Sequence, residues 1–181
     1  MNTFELFASG FVTTFIFLNY IDWVKENVRI IGNNYMTRYF IIPRNPWFNI
    51  YLHRYTGSDD DRALHDHPWR SVSFLLKGEL QEHSKTDHFD THKSVNREHT
   101  YYSGERFGTC ETTRITAVYR FLPKFRSAKY THRIELMSDT AWTLFFTGPK
   151  IREWGFHCPK GWVHWRQFTD RSGNNIGRGC E

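Results

Sequence analysis

A chain of 181 residues is long enough for one domain with a substantial core. Aromatic residues make up 18% of it, with seven Trp and sixteen Phe, a stock that suits a barrel or sandwich interior or an aromatic-walled pocket. The net charge of +5 favours anionic partners, but the basic residues are scattered rather than gathered in a run, which disfavours nucleic acid as the main partner.

Residues 1–34 read as an N-terminal extension, helical or irregular, closed by the turn signal Gly32–Asn34. Its most apolar segment, Phe11 to Ile21, is too short to span a bilayer. No basic stretch precedes that segment and no small-residue cleavage site follows it, so no signal peptide is expected. A packing helix or the contact of a homodimer is the expected role. From Tyr35 the texture changes to short runs rich in β-branched and aromatic residues: "YMTRYFII", "WFNIYLHRYT", "SVSFLL", "ITAVYRFL" and "WTLFFT". A polar turn, "TGSDDDR", separates two of these runs. Lys77-Gly78 reads as a tight hairpin turn with "ELQEH" returning. Residues 84–113 are polar and read as a long hairpin or loop. The expectation is an all-β barrel or sandwich over residues 35–170 and a flexible tail over 171–181. The three cysteines, Cys110, Cys158 and Cys180, contain no C-x-x-C pair. Their odd number argues for reduced thiols in a cytoplasmic protein rather than a disulfide framework.

Chemistry concentrates in "ALHDHPWRSVSFLLKGELQEH", Ala63 to His83. In an extended chain residues i and i+2 share a face, so His65 and His67 point together while Asp66 points away. Two imidazoles on one face can share a metal ion, and histidine suits Zn, Fe, Ni and Cu alike. The competing reading is a pair of hydrogen-bonded histidines beside a turn. Context favours the metal: a hydrophobic strand and Gly78 follow the pair, and a second histidine-centred strand, "YTHRIEL" (Tyr130 to Leu136), comes later.

That layout resembles the cupin superfamily, whose first motif supplies H-x-H and whose second supplies one more histidine. The resemblance implies a small antiparallel β-barrel, a double-stranded β-helix, with His65, His67 and His132 as metal ligands. Where the usual first motif places a glutamate, this chain has Ser71 and Val72. The site would then hold three neutral imidazoles or take a carboxylate from elsewhere. Glu82 is the nearest candidate, although its position also reads as a solvated hairpin residue. Three histidines are similar to the set of the thiol dioxygenases. The strand that in that family carries a Ser-His-Tyr set corresponds here to "TLFFTGP" (Thr143 to Pro149), which has neither His nor Tyr. Over His53 to Phe168 the blocks "LHRYTGSDDDRALHDHPWRSVSFLLKGELQEH", "FRSAKYTHRIEL" and "WTLFFTGPKIREWGFHCPKGWVHWRQF" resemble a group of cupin-like proteins of bacteria and phages that implies a fold and a metal site but no reaction.

Three expectations follow for function. The sharpest is a mononuclear Fe(II) dioxygenase-like enzyme acting on a small anionic molecule. Zn, Ni or Mn in the same barrel would serve an isomerase or lyase. A non-catalytic module that binds a small molecule is the third. Arg44, Arg126 and Arg133 are candidates for gripping a carboxylate or phosphate, since the guanidinium fork matches those anions. Tyr51 and His53 share a strand face and are candidates to line the pocket. Arg152 to Trp165 carries His157, Cys158 and His164 at a spacing that matches no common zinc pattern, and reads as an aromatic closing hairpin. The histidines of His88 to His92 are expected to face solvent.

Overall fold

The computed structural model describes residues 3–32, 34–59, 63–85, 113–173, 175 and 177–181. Helix α1 (Thr3–Glu26) leads into twelve strands: β1 (Val28–Ile31), β2 (Met36–Phe40), β3 (Asn49–Tyr55), β4 (Leu64–His65), β5 (Ser71–Lys77), β6 (Leu80–Lys85), β7 (Thr113–Val118), β8 (Pro123–Arg126), β9 (His132–Leu136), β10 (Ala141–Thr147), β11 (Gly155–Cys158) and β12 (Gly161–His164). A one-turn helix, α2 (Trp165–Phe168), follows. The strands form two six-stranded sheets, ordered β1-β2-β3-β10-β5-β8 and β12-β11-β4-β9-β6-β7. All paired strands run antiparallel. β1 lies within the stretch assigned to the N-terminal extension, yet it pairs with β2 and edges the first sheet.

Period-2 alternation decides which side chains face inward. β5 buries Ser71, Ser73 and Leu75, β10 buries Ala141, Thr143, Phe145 and Thr147, and β3 buries Tyr51, His53 and Tyr55. At one end of the barrel these inward positions are apolar: Met36, Tyr55, Leu75, Leu80, Ile134 and Ala141 pack together. Burying a side chain such as Leu75 is worth about 1.5–3 kcal/mol, so this end supplies much of the stability. Beyond it the interior turns polar, with Ser73, Glu82, Ser84, Arg126 and His132 all buried. Polar burial costs free energy unless each group is paired.

Gly78 does not make the tight hairpin expected of it. β5 and β6 lie in different sheets, and β6 pairs with β7 and β9 instead. Gly78, at φ 85°, is the corner where the chain crosses between sheets. A Cβ there would meet Thr140 O at 2.2 Å and Ala141 Cα at 2.6 Å, so the corner requires glycine. The polar segment after β6 is flanked by the paired β6 and β7, as a long hairpin requires. Its interior, with Cys110 and His88 to His92, lies outside the described residues.

α1 is helical as one of the two expected alternatives, and its main contact with the first sheet is to β2. Tyr20 Oη donates to Ile41 O at 2.6 Å, while Ile16, Phe17 and Leu18 are exposed. Among the described residues no helix is long and apolar enough to cross a membrane.

The cysteine expectation is overturned. Cys158 on β11 and Cys180 in the tail form a disulfide. The odd count misled because one pair can close regardless of a third cysteine. The tail is pinned rather than frayed: Gly177 and Gly179 N–H both donate to Phe168 O, and Asp170 N–H donates to Asn175 O. Phe168, fully buried, stacks on Phe156 at 3.7 Å between ring centroids. The bridge closes a loop with a sequence separation of 22, for which chain-entropy arguments give about 3 kcal/mol. Cys180→Ser should therefore lower the unfolding free energy by about 2–4 kcal/mol in a urea titration. Reducing agent should do the same to the native chain and nothing further to the variant. Equal stability of the two chains under oxidising conditions would contradict the bridge.

Candidate metal centre

β4, β9 and β6 lie side by side, which sets His65 opposite His132 and His132 opposite Ser84. His67 stands two residues beyond His65, held by its N–H bond to Ala128 O at 3.3 Å. Between them Asp66 points the other way and ties down the β11–β12 hairpin. Its Oδ1 accepts from Gly155 N–H at 2.9 Å, and its Oδ2 accepts from Trp162 Nε1 at 3.1 Å and pairs with Arg152 at 2.7 Å. Burial alone would raise the Asp66 carboxyl, but the bonds from His157, Arg152 and Gly155 hold it below its ordinary value. With Asp66 fixed outward, both neighbouring imidazoles are turned inward.

The three rings converge. Each pair among His65, His67 and His132 has ring centroids 5.1 Å apart. His67 Nε2 and His132 Nε2 are 2.8 Å apart, and the three candidate ligand atoms lie within 4.8 Å of one another. Burial pushes His65 down to about 4, with the neighbouring His132 adding to the effect. Burial first, then His132 and His65, holds His67 well below its ordinary value. Both rings are therefore neutral near pH 7, the form that offers lone pairs.

Glu82 is not the solvated hairpin residue that its position suggested. It is fully buried, pairs with Arg126 Nε at 2.6 Å and Lys124 Nζ at 3.1 Å, and lies against Nδ1 of His132. Burial would raise its carboxyl, but Arg126, His132 and Lys124 outweigh burial and keep it ionised. The carboxylate thus stands behind the histidine rather than beside the other donors. In that position it braces the ring from the side away from the other two histidines. Arg126 is fixed in turn by a 2.7 Å bond from Nη1 to Ser73 Oγ.

The other expected pocket residues divide. Tyr51 and His53 do face inward, stacked on each other at 5.9 Å, and His53 meets Phe145 at 5.1 Å. Arg126 is interior but committed to Glu82. Arg44 is exposed on the connection between β2 and β3; burial raises the Tyr51 hydroxyl, and the charges of Arg38 and Arg44 only partly offset it. Arg133 does not belong to the site: alternation along β9 sends it away from His132, toward His83 and Glu135. His157 is engaged by Asp66 and His164 by Glu153, so the hairpin builds no second metal cluster among the described residues. Its aromatics pack as expected, with Trp154 on Trp165 at 5.8 Å. Two features escaped sequence reasoning. Arg38 on β2 donates from Nε to His53 Nε2 at 3.0 Å, and Trp69 stacks on His67 at 6.3 Å.

Glu82→Ala would leave Arg126 buried without its counter-charge, a loss of about 3–5 kcal/mol by precedent for broken buried pairs. Ser73→Ala, which keeps the ion pair, should cost about 1 kcal/mol. Urea unfolding of the two variants checks the ranking. Near-equal stabilities would show that Glu82 is not the brace.

No protein-family model and no curated protein matches the chain. Solved structures similar to it include a conserved protein with a double-stranded β-helix domain from Klebsiella pneumoniae, at 12% identity and TM-score 0.46, over 74% of this chain and 92% of that one. A DMSP lyase from Ruegeria pomeroyi aligns at 12% identity and TM-score 0.44, over 71% of this chain and 54% of that one. Hydroxypropylphosphonic acid epoxidase from S. wedmorenis aligns at 12% identity and TM-score 0.43, over 68% and 56%. The chain spans little more than half the length of these two enzymes. Overlaps this loose carry no weight for the site. The strand order and the histidines stand on their own: two six-stranded antiparallel sheets enclose an interior in which three histidines converge.

Proposed function

We propose that the chain is a metal-dependent enzyme of the dioxygenase type. In this reading His65, His67 and His132 hold a divalent ion, iron(II) by preference, and the substrate is a small anionic molecule. One observation carries the reading: three imidazoles converge while the carboxylate of Glu82 is engaged behind one of them. Metal–nitrogen bonds of about 2.0–2.1 Å set neighbouring donors roughly 3–4 Å apart. The 2.8 Å between two Nε2 atoms and the 4.8 Å limit on the whole set bracket that range, so small ring movements suffice.

An ion held by three neutral ligands would keep its full charge and supply open positions for a chelating anion and for oxygen chemistry. The chain's own residues do the rest. Glu82 braces His132 from its Nδ1 side. Trp69, Trp154 and Phe156 pack around His65 and His67. Arg38, Lys124 and Arg126 place three positive charges against the carboxylates of Glu82 and Asp59, an excess that attracts an anion into the barrel.

A second reading keeps the ion but assigns non-oxidative isomerase or lyase chemistry with Zn, Ni or Mn. It is favoured by the interior face of β10, where Thr143, Phe145 and Thr147 offer no histidine or tyrosine. Metal analysis of the purified protein by mass spectrometry separates these readings, beside a His65→Ala/His132→Ala variant. The expected result is close to one ion per chain in the native protein, lost in the variant, with iron and substrate-dependent oxygen uptake. Zinc or nickel with anaerobic turnover would move the assignment to the second reading. No metal in either protein, even after anaerobic reconstitution, would leave a binding barrel without this chemistry.

A further inference from the structure

Arg38 sits on β2 between Met36 and Phe40, on the strand face that adds to the apolar core. Two neighbours clamp it. Its Nε donates to His53 Nε2 at 3.0 Å, and its Cζ lies 4.7 Å from the centroid of the Tyr51 ring. Tyr51 and His53 are themselves stacked, with an interplanar angle of 14°, so the clamp is rigid. No carboxylate pairs with Arg38, and neither Nη group has a protein partner, among the described residues. Arg126 and Lys124 share Glu82, and Arg133 faces Glu135, whereas Arg38 has no carboxylate partner among the described residues.

A half-buried guanidinium without an acid costs folding free energy, and a hydrophobic residue at this position would extend the core instead. What the arrangement offers in return is a fork. With Nε occupied and one face covered, the Nη1/Nη2 edge presents two N–H groups at the spacing of two oxygens of a carboxylate or phosphate. Thr143 Oγ1, opposite His53 in register, is also buried.

We infer that Arg38, clamped by His53 and Tyr51, is the oxyanion subsite of the barrel, gripping the carboxylate or phosphate of the substrate away from the three histidines. The inference rests on the interior being a substrate site but not on a metal being bound, and the test is arranged to keep those apart. Metal-stripped protein is titrated with malonate and, separately, with inorganic phosphate while the Arg38 Nε–H resonance is followed by NMR. Melting temperature is measured in parallel for wild type, Arg38→Gln, Arg38→Lys and, as a control on the outer face, Arg54→Gln.

The expected result is a saturating shift of the Arg38 signal with at least one anion, and an anion-dependent rise in melting temperature whose half-saturation is raised about tenfold or more in Arg38→Gln. Arg38→Lys should fall between, keeping the charge without the fork, and Arg54→Gln should match wild type. Response to malonate alone would assign a carboxylate, and response to phosphate alone a phosphate. A silent Arg38 resonance with both anions would overturn the subsite, and so would unchanged half-saturation in Arg38→Gln. The wild-type NMR titration decides the matter even if Arg38→Gln fails to fold. A protein that binds no metal but shifts at Arg38 would sink the proposed chemistry and leave the subsite standing.

Discussion

The buried carboxylate of Glu82 is the constraint on which the rest of this interior depends. It comes from β6 in one sheet and meets Arg126 and Lys124 from β8 in the other, so the ion pair ties the two sheets together across the barrel. A carboxylate with no exposure persists only while its charges and hydrogen bonds are matched. If Glu82 swung toward the histidine cluster, Arg126 would be left buried and unpaired. That penalty keeps the carboxylate behind His132 and leaves three imidazoles to define the centre.

The same logic divides the barrel into two halves. One end is closed by Met36, Tyr55, Leu75, Leu80, Ile134 and Ala141, where side-chain burial supplies stability without chemistry. The disulfide and the stacked Phe156 and Phe168 secure the opposite margin, where the terminal hairpin and tail meet the second sheet. Between these braces the chain tolerates a run of buried polar groups that would otherwise be a liability. Asp66 shows how the halves are coupled: it anchors the hairpin and, by facing outward, turns both neighbouring histidines inward.

How far the site was legible in the sequence depends on the range of each interaction. H-x-H is local, so the pair His65 and His67 could be found from the period of an extended chain, and a second histidine-centred strand added His132. The runs of β-branched and aromatic residues likewise announced β2, β3, β5, β7 and β10. Glu82 was visible as a candidate, but its partner Arg126 lies 44 residues away, and a charged residue on a returning strand reads as solvated without it. Gly78 read as a hairpin because φ > 0 is common to tight turns and to corners between sheets. Only the register shows that β6 leaves β5. Arg38 left one weak signal, a charged residue alternating with Met36 and Phe40 on a single face. The Cys158–Cys180 bridge left none, since pairing within an odd set of cysteines is decided by the fold.

X-ray absorption of the protein reconstituted with iron(II), beside Glu82→Gln, tests the central claim most directly. The expected spectrum shows three imidazole ligands with the remaining positions filled by solvent, and the same ligand set at weaker metal affinity in the variant. A carboxylate among the ligands of the native protein, lost in Glu82→Gln, would contradict a Glu82 that braces His132 rather than binding the ion.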